Sequence, residues 1–292
     1  MTGCMDTKTL LTTAIAMIAF AANSILCRLA LGQETIDAAS FASIRVIAGA
    51  LVLGVIVFPR WRVQGRAKAD WRTVAALFVY MAFFAFAYLS LSTGTGALLL
   101  FGSVQLTMFA VALKRGERFT SVSWAGFVLA IAGLVYLIWP GITAPDPLGA
   151  ALMAIAGIAW GSYSLLGKGV ADPLEATANN FIWCIPLVLV TSLVFMGDIH
   201  LSGRGFLIAA LSGAVASGLG YVVWFMALRG LAATRAATVQ LSVPVIAALG
   251  GLVFLSEELS LRLVLASVAT LSGITIVLLQ RSVPAGARPK RS

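Results

Sequence analysis

SVSWAGFVLAIAGLVYLIW, residues 121–139, runs for nineteen positions without a charged side chain. About 20 mostly apolar residues in a helix cross the hydrocarbon core of a bilayer. The stretch is bounded by Lys114, Arg115, Glu117 and Arg118 before it and by Pro140, Pro145, Asp146 and Pro147 after it. Outward from it the same pattern repeats at 9–29, 38–58, 73–92, 95–113, 148–167, 176–197, 205–228, 234–255 and 262–280, giving ten predicted spans. The connections are short and hold nearly all the Pro, Asp, Glu, Lys and Arg, and none is long enough for a soluble domain. The fold class expected is therefore an all-α membrane protein with ten transmembrane helices.

Composition agrees. Of the 292 residues, 60% are hydrophobic and 11% charged, against about 25% charged in a soluble domain. The net charge of +9 does not point to nucleic acid, because the basic residues lie in short turns rather than in aromatic-interleaved patches. Their distribution sets orientation instead. One side carries sixteen of the twenty: Lys8, the 60–72 and 114–118 clusters, Lys168, Arg229, Arg235 and the four from Arg281 to Arg291. The other side carries Arg28, Arg204 and Arg262, and Arg45 lies within a span. This predicts a multi-pass cell inner membrane protein with both termini cytoplasmic. Ala19-Phe20-Ala21 has the form of a signal-peptidase site, but the apolar run continues to Leu31, so it reads as part of the first span. Cys4, Cys27 and Cys184 form no metal-ligand spacing.

The two halves echo each other. Val104-Gln105-Leu106 recurs as Val239-Gln240-Leu241, and Glu117 precedes Gly133 by 16 residues as Glu257 precedes Gly273. Asn23-Ser24 in the first span falls where Gly161-Ser162 falls in the sixth. Each half holds five spans, an odd number, so the second copy enters the membrane from the opposite side. The expected organisation is two inverted five-helix repeats, 1–140 and 141–281, followed by a basic cytoplasmic tail, 282–292. Glu117 follows Gln105 by 12 positions, whereas Glu257 follows Gln240 by 17, and Pro244 has no counterpart, so the fourth helix is expected to be shorter or bent.

The ordered set Asn23-Ser24, Ile44-Arg45-Val46, Ser92 to Ala97, Trp160-Gly161-Ser162, Val239 to Pro244 and Glu257-Glu258 with Ser260 resembles the ten-helix EamA-type branch of the drug/metabolite transporter superfamily over residues 9–280. Within that branch the chain looks most like the bacterial aromatic amino acid exporters. The resemblance implies a cavity between the halves, lined by helices 1, 3, 4, 6, 8 and 9, and export of neutral amino acids.

Polar groups in lipid are costly and tend to mark pathways. Arg45 either pairs with a substrate carboxylate or steadies the cavity, or else it snorkels to the surface about two turns away. Asn23 shares a face of small residues with Ala16, Ala19, Phe20 and Cys27, suited to helix contact or to a cavity wall. Tyr80, Phe84 and Tyr88 form a stripe on the third helix, and Gly213, Ser217, Gly220, Tyr221 and Trp224 form one on the eighth. Trp160 and Tyr163 read as interfacial belt residues or as cavity wall, and Gly157-x-x-x-Gly161 reads as a packing motif. The binding residues expected are Tyr80, Phe84, Tyr88, Trp160, Tyr163, Tyr221 and Trp224 for an apolar or aromatic side chain. Asn23, Gln105, Ser162, Gln240 and Ser242 are expected to hold a zwitterionic end. Asn179 and Asn180 are expected at the interface, and Glu117, Glu257 and Glu258 as caps at helix starts.

All eleven acids fall in loops or at helix ends. Proton-driven pumps generally use an intramembrane Asp, Glu or His as relay, so facilitated passage is expected. The chain has no P-loop, no His-rich metal cluster and no buried Asp pair, so no enzyme, cofactor or metal is expected. The partners expected are the bilayer and a small neutral substrate, and a monomer suffices. Efflux of neutral or lipophilic drugs is the second reading, and a receptor or scaffold that moves nothing is the third.

Overall fold

The computed structural model describes residues 7–65, 68–117, 119–167, 170–228, 231 and 238–279. The tail 282–292, Cys4, Arg66, Arg118, Lys168, Arg229, Arg235 and Arg281 lie outside the described residues. Among the described residues ten long helices follow in chain order: α1 (Thr7–Gly32), α2 (Ala38–Gln64), α3 (Trp71–Ala87), α4 (Thr93–Lys114), α5 (Ser121–Ile138), α6 (Pro147–Leu166) and α7 (Pro173–Val194), then α8 (Gly203–Leu228), α9 (Thr238–Leu255) and α10 (Leu261–Leu279). Nine are long and apolar enough to cross a membrane, and α3 is a shorter apolar helix of 17 residues. Among the described residues there is no strand, only a single bridge between Ile36 and Leu201.

The helix starts are written in short polar side chains. Asp37, Asp70, Thr120, Asp146, Asp172 and Ser202 each accept a first-turn backbone N–H of the helix that follows, satisfying donors that have no intrahelical partner. Pro147 and Pro173 stand in first turns, where the missing N–H costs nothing. The start of α7 at Pro173 moves Asn179 and Asn180 into its body. Both are buried, which corrects their expected interfacial position. The Asn180 Oδ1 accepts from Thr73 Oγ1 at 3.0 Å, and its Nδ2 faces the Tyr163 hydroxyl at 3.4 Å.

The fourth helix is not the short one. α4 runs unbroken for 22 residues, whereas α9 is interrupted at Leu241, with regular helix resuming over Ser242–Leu255. The reason is Pro244, which has no N–H to give the Gln240 carbonyl one turn earlier.

Packing is mostly between the first five helices and the last five. α5 lies on α10, α2 on α7, α3 and α4 on α6, and α1 on α8 and α9. Exchanging each helix for its counterpart five later leaves this set of partners unchanged. Close approach is bought with glycine: a Cβ on Gly126 would meet the Gly273 carbonyl at 2.7 Å, and one on Gly157 would meet the Leu100 carbonyl at 2.6 Å. The Gly157-x-x-x-Gly161 motif thus seats α6 on α4. Outward-facing positions are apolar, with Val55 74%, Val194 72% and Leu261 72% exposed, as lipid contact requires.

Candidate functional site: an aromatic cavity between the halves

Five helices converge on a small cavity of about 20 Å³, lined by Phe20, Asn23 and Ser24 of α1, Tyr80 and Phe84 of α3, Leu100 and Phe101 of α4, Trp160 of α6, and Ala216 and Tyr221 of α8. That is room for one or two waters. No α9 residue lines it. Trp160 is the hub: its ring lies 4.7 Å from that of Tyr80, 5.3 Å from Tyr221 and 5.5 Å from Tyr163. Trp160 and Tyr163 are both buried in the protein, so neither belongs to an interfacial belt. Phe20 meets Tyr221 edge-on at 6.0 Å and Trp224 at 5.8 Å. Each such ring contact adds roughly 0.5–1.5 kcal/mol beyond burial, so the wall is a connected aromatic cage.

Arg45 stands directly behind this wall. It is wholly buried, with 0% exposure, which excludes snorkelling. Its Nε donates to Ser217 Oγ and its Nη2 to Tyr80 Oη, each at 3.2 Å. The guanidinium carbon lies 4.8 Å from the Phe84 ring centre and 5.4 Å from that of Tyr80. Nη1 is buried without a hydrogen-bond partner. A buried cation held by two hydroxyls and two ring faces, with one of its three nitrogens unpartnered, is short of an anion.

The helix opposite is irregular at this level. Ser212–Leu219 of α8 is π-helical, a geometry that widens the turn and recurs at functional sites. Ser212 Oγ donates to Asn23 Oδ1 at 2.6 Å, tying the π turn to α1. Gly213 packs against the backbone of Arg45, and a Cβ there would overlap the Arg45 carbonyl. The segment therefore brings Ala216 to the cavity and Ser217 to Arg45 through one local distortion.

Of the residues expected from sequence, Asn23, Tyr80, Phe84, Trp160 and Tyr221 meet on the cavity wall. Tyr163 and Trp224 stand behind it as ring partners. Tyr88 is buried against Phe84, its hydroxyl donating to the Thr93 carbonyl at 3.3 Å. The remaining polar residues expected do not line this cavity. Ser162 and Ser242 turn their hydroxyls to the carbonyls of Ile158 and Val239, the usual fate of a serine on a helix. Gln105 is buried outside the wall with its Nε2 unpartnered, and Gln240 is half-buried outside it. Leu100, Phe101 and Ala216 were not expected in the wall. Their apolar side chains look the same in sequence whether they face core or cavity.

The EamA-like transporter family model matches residues 147–279. The Pseudomonas aeruginosa protein PA1977 is 50% identical over 94% of this chain and 96% of its own length. An uncharacterized transporter of Archaeoglobus fulgidus is 26% identical over 83% of this chain and 89% of its own. The uncharacterized transporter YwfM of Bacillus subtilis is 27% identical over 79% and 81%. A solved crystal structure superposes with a TM-score of 0.64 at 19% identity, over 91% of this chain and 98% of that one, and shares the fold. With a multi-pass helical fold, a cavity between its halves and these relatives, the chain belongs to the EamA-like transporter family of the drug/metabolite transporter superfamily.

Proposed function

We propose that this transporter exports small neutral amino acids, aromatic ones foremost, across the inner membrane by alternating access of two inverted repeats, 1–140 and 141–281. The observation that carries the reading is the Trp160–Tyr80–Tyr221 cage with Arg45 behind Tyr80. The rings would take an apolar or aromatic side chain through their faces. Asn23 and the Nη1 of Arg45 offer donors for a carboxylate. A lone buried Arg suits a single carboxylate. A phosphate ester would call for several cations.

The exchange symmetry of the helix contacts supports the inverted repeat. A cavity of about 20 Å³ would belong to a closed state that must widen to admit cargo. The described acids all lie in turns, caps or first turns, leaving no carboxylate relay in a span, which favours facilitated passage. The basic bias of the even-numbered turns favours cytoplasmic termini.

Equilibrium binding of radiolabelled phenylalanine to the purified protein tests the site. Trp160→Ala and Tyr221→Ala should each weaken binding about tenfold, the loss of one or two ring contacts. Unchanged binding in both folded variants would remove the cage from the site. Binding of neutral lipophilic compounds, with none of phenylalanine, would favour the drug-efflux reading.

A further inference from the structure

We propose that Arg28 and Glu257 form a latch that closes the cavity at the end carrying the α1–α2, α3–α4 and α9–α10 turns. The proposal rests on the alternating-access reading above. Arg28 Nε lies 3.4 Å from Glu257 Oε1, and the two side chains are 25% and 17% exposed. Arg28 sits one turn above Ser24 on α1, and Ser24 lines the cavity. Its Nη1 donates to the Tyr88 and Leu89 carbonyls at 3.1 Å each, closing the end of α3.

Glu257 acts on the other side of the same opening. Its two carboxylate oxygens receive the Thr93 N–H at 2.9 and 3.1 Å. Thr93 opens α4, whose Leu100 and Phe101 line the cavity two turns below. The N-cap residue of α4, Ser92, makes no cap bond of its own. Sequence reading expects Glu257 to cap α10, but the structure turns it onto α4, in the other half. Ser256, left-handed at φ 53°, makes that turn. An anion at a helix N-terminus and a cation on the last carbonyls of another helix are both favourable and both reversible near water.

Among the described residues the repeat-related carboxylates differ in setting. Glu117, which matches Glu257 in the repeat, is exposed and joins no ion pair among the described residues. Glu257, by contrast, is engaged across the halves, on Arg28 and on the start of α4. Thr93 Oγ1 is buried beside the latch without a hydrogen-bond partner. Closure therefore leaves a cost that opening to water relieves.

The test uses the full-length chain with Cys4, Cys27 and Cys184 replaced and Ser24→Cys introduced. Labelling by a membrane-impermeant maleimide is followed in spheroplasts and in inside-out vesicles. Arg28→Gln leaves the α4 cap in place, and Glu257→Gln keeps an oxygen for the Thr93 N–H, so either variant alone serves. Each should speed labelling about fivefold from the side carrying the α1–α2 turn only, the lower end of typical coupling between sites. Glu258→Gln, the exposed neighbour, should change nothing. Unchanged labelling in Arg28→Gln and Glu257→Gln, an equal rise from both sides, or the same rise in Glu258→Gln would overturn the latch. Labelling needs no cargo, so a failed latch and a failed amino acid reading are told apart.

Discussion

A guanidinium carries five N–H donors in a fixed fork, and hydrocarbon offers it none of water's acceptors. Arg45 resolves this in part, through Ser217, Tyr80 and the faces of Phe84 and Tyr80. Removing a buried charge that lacks a carboxylate partner need not destabilise a protein. Arg45→Met should therefore stay folded, its melting temperature within about 5 °C of the parent, roughly 1–2 kcal/mol for a chain of this size. Phenylalanine flux should fall at least about tenfold if Nη1 receives the carboxylate, given roughly 1.5–3 kcal/mol for a charged hydrogen bond. Flux at the parent level would make Arg45 a packing residue. At this scale the sequence was legible where chemistry is rare. One Arg within a span, one Asn on a face of small residues and two aromatic stripes all led to the wall or to its backing. It was illegible where residues satisfy themselves. Ser162 and Ser242 spend their hydroxyls on their own helices, and spacing cannot reveal that.

Helix boundaries followed from local chemistry, because Asp, Ser or Thr at a cap and Pro in a first turn act within a few residues. Two features of the helices came from farther away. The π turn of α8 lies where Gly213 crosses the Arg45 backbone, and no periodicity encodes a crossing. The start of α4 depends on Glu257, 164 residues later in sequence. Relative spacing suggested a defect in α4, whereas the proline places it in α9. The crossing makes a clear demand on Gly213. A methyl there has no space, and overpacking typically costs 1–3 kcal/mol. Gly213→Ala should lower the thermal midpoint in detergent, whereas Gly203→Ala, with open space around it, should leave it unchanged. An equal response at both positions would mean that the α2–α8 crossing is not tight.

Across the whole molecule, contact lines run from each half to the other. α1 and α6 hold equivalent places, each against two helices of the opposite half. The turns at one end are tied across the halves by Asp37 with His200, by Glu257 with Thr93 and by Arg262 with the Trp139 carbonyl. The opposite end has Arg60 with Asp172 and Trp61 with Glu175 at 3.0 Å, both joining α2 to α7. Those ties are partly exposed and worth about 0–1 kcal/mol each. A small aromatic cavity between the halves, and described acids kept to the ends of the spans, together argue for a carrier that lets a neutral amino acid run down its gradient. Flux of phenylalanine, tryptophan, threonine and methionine into proteoliposomes holding only the purified protein, with no ion gradient imposed, tests this most directly. The account predicts faster entry than into empty vesicles, with the aromatic amino acids leading. Entry only after a proton gradient is applied, or no entry under either condition, would contradict it.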